Sequence, residues 1–597
     1  MKIKKVIKML IKQGPFAVLR AIRDHYRKKR EEEKFRNRVR SLHLISDGER
    51  ENQKNRKFLA PVSFSIITPL YNTPENYLRE LLESLQKQTY PKWQLCLADG
   101  SDKEHEYVGE ICREYASKDS RICYEVLEEN KGISENTNEC LKFATGDYIG
   151  LLDHDDILHE SALYEMMKVI EEEKADFLYS DEVKFSGKIE DASDFNFKPG
   201  FGKDELRAHN YICHFTVFKK SLLDQIGQAY RPEFDGSQDH DMILRLTDRA
   251  QNIVHIPKLL YYWRSHPGST AAGLSAKPYT VAAAKGAVAD HLRRHGFEHF
   301  QITSTRAFDT IFKIRYQILG SPLISIIIAN KDHVEDLSRC VSSILEKSTY
   351  ENYEIIIVEN NSQDAKTFAY YEELQTNEKI RVITYKGVFN YSAVNNLGVS
   401  KARGEYVLLL NNDTQVITVN WMEELLMYAQ REDVGAVGAK LYYGDKTIQH
   451  AGVVLGLGAH RTAGHSHYGQ HRDNLGYMGR LCYAQNVSAV TGACLLVKKE
   501  LFLEVGGLDE GFAVSLNDVD FCIKLRQKGY LNVFTPFAEL YHFESRSRGL
   551  DDQGEKAERY NRESEKFREK WKEVLEAGDP YYNPNFSLDR SDFSLKI

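Results

Sequence analysis

The sequence predicts an α/β protein of two tandem domains built on one plan and preceded by a basic helical arm. Three observations lead there. The chain has 597 residues, several times the ~150 of an average domain, so at least two sizeable cores are expected. The body repeats itself. Ser63 to Asp102 (SFSIITPLYNTPENYLRELLESLQKQTYPKWQLCLADGSD) and Leu323 to Gln363 (LISIIIANKDHVEDLSRCVSSILEKSTYENYEIIIVENNSQ) each run as apolar strand, turn, amphipathic helix ending in Thr-Tyr, second apolar strand and acidic loop. That is a βαβ unit used twice. Third, residues 1–40 carry fifteen Lys/Arg against Asp24, Glu31, Glu32 and Glu33, so an arm of +11 precedes a body of −18.

Hydrophobic residues at 42% and aromatics at 11% exclude wholesale disorder and a collagen-like chain. No run of about 18 apolar residues suggests a spanning helix. Lys8 and Lys12 interrupt any apolar signal region, so the chain is expected on the cytoplasmic side. The nine cysteines include no C-x-x-C, which argues against a disulfide framework or zinc ribbon.

In the arm, Ile3, Val6, Ile7 and Leu10 fall at helical spacing among five lysines, and Val18, Leu19, Ile22 and Tyr26 resume the pattern after Pro15. Two short basic amphipathic helices follow. They suit peripheral attachment to an anionic inner-leaflet surface. The competing readings are a helical hairpin packed on the body and a solvated tail. Nucleic acid is not expected, since no nucleic-acid-binding fold accompanies the basic patch.

The copies continue downstream. FATGDYIGLLDHDD (Phe143 to Asp156) matches KARGEYVLLLNNDT (Lys401 to Thr414), each a strand ending in a carboxylate loop. GSQDHDMILRL (Gly236 to Leu246) matches SLNDVDFCIKL (Ser515 to Leu525), where Asp-x-Asp opens a helix. Ser65 to Asp99 and Ser325 to Glu359 are both 34 positions, and Asp99 to Asp155 is 56 against 54 for Glu359 to Asp413. The expected divisions are an arm over 1–60, a first domain over 61–309, a linker strand over 310–322, a second domain over 323–554, and a helix with an extended tail over 555–597.

Ligands of an open α/β sheet sit outside the carboxyl ends of its strands. Here those ends deliver acidic loops, with no G-x-G-x-x-G and no P-loop. Bare carboxylates would repel a nucleotide diphosphate unless a hard divalent cation lay between them. Asp153 and Asp155 suit Mg²⁺ or Mn²⁺.

With these motifs, the chain resembles the inverting, GT-A-fold nucleotide-sugar glycosyltransferases of family 2, in the tandem arrangement of bacterial surface polysaccharide synthesis. The resemblance rests on SIITPLYN and SIIIANKD, DGSD and ENNS, LLDHDD and LLNND, SQDHD and LNDVD, and LYHFESRSRG. It implies that Pro69 lines the base pocket, Asp99 accepts from the base N–H, Asp153 holds the ribose and Asp155 the metal. Asp239 is implied as the general base toward the acceptor hydroxyl. In the second copy Glu359, Asn411, Asp413 and Asp518 take the corresponding parts, and His542 is implied as a further metal or diphosphate ligand, with His266 its counterpart. Ala329 replaces Pro69 and Asn411 replaces an acid, which reads as an altered donor preference. The implied activity is a bifunctional, metal-dependent transfer of hexosyl or deoxyhexosyl groups from UDP- or dTDP-sugars to a lipid-linked or surface glycan, peripheral on the inner face of the cell membrane. The alternative is one catalytic domain beside a silent glycan- or nucleotide-binding domain. A sugar-nucleotidyltransferase would need a glycine- and basic-rich triphosphate loop, which TPLYNTPE and ANKDHVED lack.

Blander readings stand beside these. An Asp opening a helix is in isolation most often its N-cap; the matched strand-end carboxylates favour the base for Asp239 and Asp518. Asp241 and Asp520 read as first-turn dipole partners, and Asp102 and Asp156 as loop carboxylates. The histidines of GHSHYGQH, with His450 and His460, lack zinc spacing and read as an acceptor-side loop. Tyr261, Tyr262 and Trp263 fit either a sugar platform or core.

Overall fold

The computed structural model describes residues 37–192, 194–266, 278–543 and 554–596. The two helices expected before residue 37 lie outside the described residues. Helical backbone covers 37–43 and then Asp47–Asn55, where the Ser46 hydroxyl accepts from Glu49 N at 3.2 Å. This segment docks on the first domain. Arg50 Nη2 donates to Glu160 Oε1 at 2.9 Å, and Thr89 Oγ1 donates to Gln53 Oε1 at 2.8 Å.

The β-branched run Phe64–Leu70 is buried along nearly its whole length, as a strand covered on both faces must be. It pairs in parallel with Trp93–Asp99 on one side and Tyr148–Leu151 on the other. The sheet runs Ile122–Val126, Trp93–Asp99, Phe64–Leu70, Tyr148–Leu151, Thr216–Lys219, Phe177–Phe185, Ile253–Arg264 and Ile157–Leu158, with Asp194–Asn196 added beside Phe177–Phe185. The second sheet runs in the same order, from Ile380–Thr384 through Tyr353–Glu359, Ile324–Asn330, Tyr406–Leu410, Cys494–Lys498, Val434–Tyr442 and Leu531–His542 to Thr414–Val416. The two expected tandem α/β domains are therefore present. Each has a switch in strand order beside its first strand, which is where a ligand crevice opens.

Helix periodicity explains the cover. Helix Glu75–Gln86 buries Leu78, Leu81, Leu82 and Leu85, and Val334–Lys347 buries Leu337, Val341 and Ile344. These i, i+3, i+4, i+7 stripes lie on the sheets.

Between the sheets, Phe312–Tyr316 forms a hairpin with Phe300–Ser304. Its Lys313 Nζ pairs with Glu424 Oε1 at 2.7 Å, so the hairpin leans on the second domain. A buried polar interface joins the halves. Asp204 pairs with Arg431 and accepts from Asn486 Nδ2 at 2.8 Å, while Glu205 Oε1 accepts from Arg480 Nη1 and Tyr483 Oη, both at 2.8 Å. Helix Gly554–Lys570 packs Phe567 into the second core, beside Trp571. The segment after Ala577 touches both halves: Gly200 N donates to Pro580 O at 2.8 Å, and Gly458 N to Leu588 O at 2.8 Å. All nine cysteines are free thiols.

Candidate active site

Strand register brings Pro69 beside Ala98 and Leu70 beside Asp99. Asp99 is buried, with Oδ1 accepting from Ser101 N at 2.9 Å and Oδ2 from Tyr124 Oη at 2.7 Å. Asp153 leaves the end of the neighbouring strand. Pro69, Asp153, Tyr230 and Asp239 line one cavity of about 30 Å³ together with Cys213 and His214. Asp99 and Asp155 lie outside its lining.

Asp239 sits in the first turn of helix Gln238–Thr247, whose N-cap is Ser237, so the carboxylate does not cap. Its oxygen accepts from Gln238 Nε2 at 3.1 Å. Burial, reinforced by the charge of Asp153, raises its pKa to about 6. His214 places Nε2 3.4 Å from Asp153 Oδ2 and Nδ1 3.3 Å from Glu182 Oε2. Burial opposes its charge, but these two carboxylates outweigh that and hold the imidazolium well above the usual range. Behind it Lys198 Nζ lies 3.6 Å from Glu182 Oε2, with both side chains fully buried. Burial works against the Glu182 carboxylate too, yet Lys198 and His214 bring it down to about 2.

In the second domain, the buried Glu359 accepts from Ser362 N at 2.6 Å and Tyr371 Oη at 2.6 Å. Tyr391 Oη lies 3.4 Å from Asn411 Oδ1 and donates to Gly492 O at 2.9 Å, and Gly492 N donates to Asp518 Oδ2 at 2.8 Å. One chain of contacts thus links the strand-end loop to the helix Asn517–Gln527. Leu516, not Asp518, is that helix's N-cap residue. Ala329 stands at the register position of Pro69, opposite Val358.

The candidate metal ligands pair as carboxylate with imidazole. His266 Nε2 lies 2.8 Å from Asp155 Oδ2, and His542 Nε2 3.3 Å from Asp413 Oδ1. An oxygen and an imidazole nitrogen at those separations fit a shared divalent cation. The two histidines are not register equivalents. Ile157 pairs with Tyr262 and Gln415 with Tyr541, so His542 corresponds to Trp263, and His266 reaches its aspartate from three residues further on.

Several carboxylates prove structural. Asp241 and Asp520 lie in the first turns of their helices and are also buried ion-pair hubs: Asp241 accepts from Arg231 and from Arg245 Nε at 3.0 Å, and Asp520 accepts from Trp571 Nε1 at 2.9 Å and pairs with Lys570 Nζ at 2.6 Å. Asp156 is buried beneath Tyr261 Oη at 2.6 Å and Arg264 N at 2.7 Å. Asp102 caps a short turn through Glu104 N at 3.0 Å. Tyr261 and Tyr262 belong to the core. Of these histidines, His450 and His465 meet at 2.8 Å, whereas the buried His467 packs at a tilt against Phe593 and His471 is exposed beside Asp473.

Among the described residues, one group of three Asp/His side chains converges elsewhere, at Asp248, His291 and His295. Arg207 Nε donates to His291 Nε2 at 3.1 Å. An arginine only donates, so Nε2 is the unprotonated nitrogen and Nδ1, facing Asp248 at 3.3 Å, bears the hydrogen of the neutral ring. The cluster ties the end of helix Gln238–Thr247 to helix Pro278–Arg294, with Arg294 Nη1 paired to Asp248 Oδ2 at 2.5 Å.

The sequence reading missed His214, Glu182, Tyr230, Tyr371 and Tyr391. Aligning HFTVFKK with ACLLVKK would have exposed His214, since only one copy carries a histidine there.

Fold and site together define a class: an α/β enzyme with one acidic strand-end site laid down twice. The chain matches the family described as Glycosyl transferase family 2 over residues 65–227 and again over 325–506, and it belongs to that family as a glycosyltransferase. It is 43% identical over 538 residues to "Uncharacterized protein y4gI" of Sinorhizobium fredii, covering 89% of this chain and 58% of that protein. It is 34% identical over 534 residues to "O-antigen biosynthesis protein RfbC" of Myxococcus xanthus, covering 89% of this chain and 41% of that one. The chain thus spans about half the length of these curated relatives. Among solved structures it is similar to S. aureus TarS 1-349 in complex with UDP-GlcNAc, at 22% identity and a TM-score of 0.32, covering 38% of this chain and 66% of that one.

Proposed function

We propose that both domains transfer sugars, each from a UDP- or dTDP-linked donor with inversion, to a growing surface glycan carried on lipid. The observation that carries this reading is Asp153 and Asp239 lining one cavity with Pro69, at the strand-order switch of the sheet. Similarity to an O-antigen biosynthesis protein supports a surface glycan as acceptor.

In this reading Pro69 flanks the donor base, Asp99 accepts its ring N–H, and Asp153 holds the ribose. Asp239 removes the proton of the acceptor hydroxyl as the new bond forms, since a neutral hydroxyl is a poor nucleophile. Glu359, Asn411 and Asp518 act likewise in the second domain. Asn411 still offers an oxygen to a ribose hydroxyl. Asp155 with His266, and Asp413 with His542, would hold Mg²⁺ or Mn²⁺, which supplies Lewis-acid stabilisation of the departing diphosphate. The units we assign are 61–309 and 323–554. The basic arm would hold both sites near an anionic leaflet; among the described residues no helix is long and apolar enough to cross a membrane.

Sugar transfer by the whole chain tests this. Asp155→Ala and Asp413→Ala should each abolish one of two transfer steps and leave the other. Loss of neither step rejects two metal-assisted sites, and loss of only one assigns a silent binding role to the other half.

A further inference from the structure

The two copies hold the first residue of their strand-end loops by different means. Lys219 pairs with Tyr148 and Lys498 with Tyr406, and those tyrosines pair with Phe64 and Ile324 at equivalent places in the two sheets. Counting back five residues from each lysine equates His214 with Ala493. The surroundings change in concert. Phe177 pairs with Phe218 and Ala436 with Val497, which equates Glu182 with Leu441; their partners Tyr261 and Leu540 then correspond as well. Where the second domain has Ala493, Leu441 and Leu540, the first has a histidine, a buried carboxylate and a tyrosine.

The ring of His214 is fixed on every side. Asp153 and Glu182 take its two nitrogens, and Tyr261 stacks on it at 4.8 Å and 14°. In the second domain Asn411 Nδ2 is held instead by His542 Nε2 at 3.1 Å, and the same nitrogen lies 3.3 Å from Asp413. One histidine nitrogen there faces both loop residues, accepting from Asn411 and lying beside Asp413. In the first domain the tasks are divided, with His214 on Asp153 and His266 on Asp155.

We propose that His214 is a positioning residue for the nucleotide donor of the first domain, pinning one oxygen of Asp153 so that the other is presented to the donor, and that it takes no part in metal binding. This rests on the donor-site reading above. The division predicts separable defects: donor affinity for His214, metal affinity for His266, both together for His542.

The test uses the full chain, calorimetry with UDP and with dTDP, and Mn²⁺ binding followed by electron paramagnetic resonance. His214→Ala should weaken one equivalent of nucleotide about tenfold, the scale of one charge-assisted hydrogen bond, with both equivalents of Mn²⁺ unchanged. His214→Gln, which keeps a donor toward Asp153, should restore affinity to within about threefold and separates positioning from misfolding. Loss of a Mn²⁺ equivalent in His214→Ala, or nucleotide binding identical to wild type, overturns the inference. A wild-type chain that binds neither nucleotide overturns the donor-site reading itself.

Discussion

Asn583 Nδ2 donates to Asp181 Oδ2 at 2.9 Å, joining residues 402 positions apart. The same amide reaches Lys198 O at 2.9 Å, and Lys198 backs the Glu182–His214–Asp153 line of the first domain. A segment that follows the helices of the second domain is thereby wired to the site of the first. Asn583→Ala strands the buried carboxylate of Asp181 with one partner fewer, at an expected cost of about 1–3 kcal/mol. Urea denaturation checks this, and an unchanged midpoint would count against the tail as a brace.

Arg431 and Asp204 form an ion pair across the two halves, with both side chains only 2% exposed. Truncating one member leaves the other charged in a dry interface, which costs about 3–5 kcal/mol. Arg431→Leu should lower the melting temperature markedly. Arg431→Leu with Asp204→Leu should recover much of the loss, because apolar groups tolerate the site. A double variant no better than the single would show that the geometry, not the stranded charge, dominates.

The first-domain reaction should depend on pH through Asp239. Its pKa lies near 6, and a general base works only when ionised. In an Asp518→Asn background, kcat/KM should therefore rise as pH increases through about 6 and level off above 7. Acidification protonates the base and removes the rate. A profile flat between pH 5 and 8 would exclude Asp239 as the titrating base.

The basic arm predicts salt-sensitive adhesion. Each Lys or Arg near an anionic surface contributes about 1 kcal/mol, within a screening length that shrinks as salt rises. Liposomes containing anionic lipid should retain the full chain at low salt and release it at high salt. A chain starting at residue 37 should bind far less; equal binding would free the arm of this role.

The repeat and the acidic loops were legible in the sequence, because periodicity and spacing are local properties. SIITPLYN and SIIIANKD lie at the same place in two sheets of one topology. The linker strand was visible too, but its partner Phe300–Ser304 was not. Asp241 and Asp520 show what local reading leaves out: they lie in the first turns as expected, but their partners Arg231 and Trp571 come from other elements.

The sequence alone determined that this chain holds two copies of one domain and which carboxylates sit at the strand ends, since pairing in a parallel sheet follows from runs that repeat at fixed intervals. Only the tertiary structure decided which histidine serves which carboxylate. His214, His266 and His542 come from strand ends and loops whose approach depends on register between distant segments. The sequence ranked His266 with His542, while the pairing of Gln415 with Tyr541 aligns His542 with Trp263. Contacts of that kind are set by packing across the sheet, and no spacing along the chain encodes them.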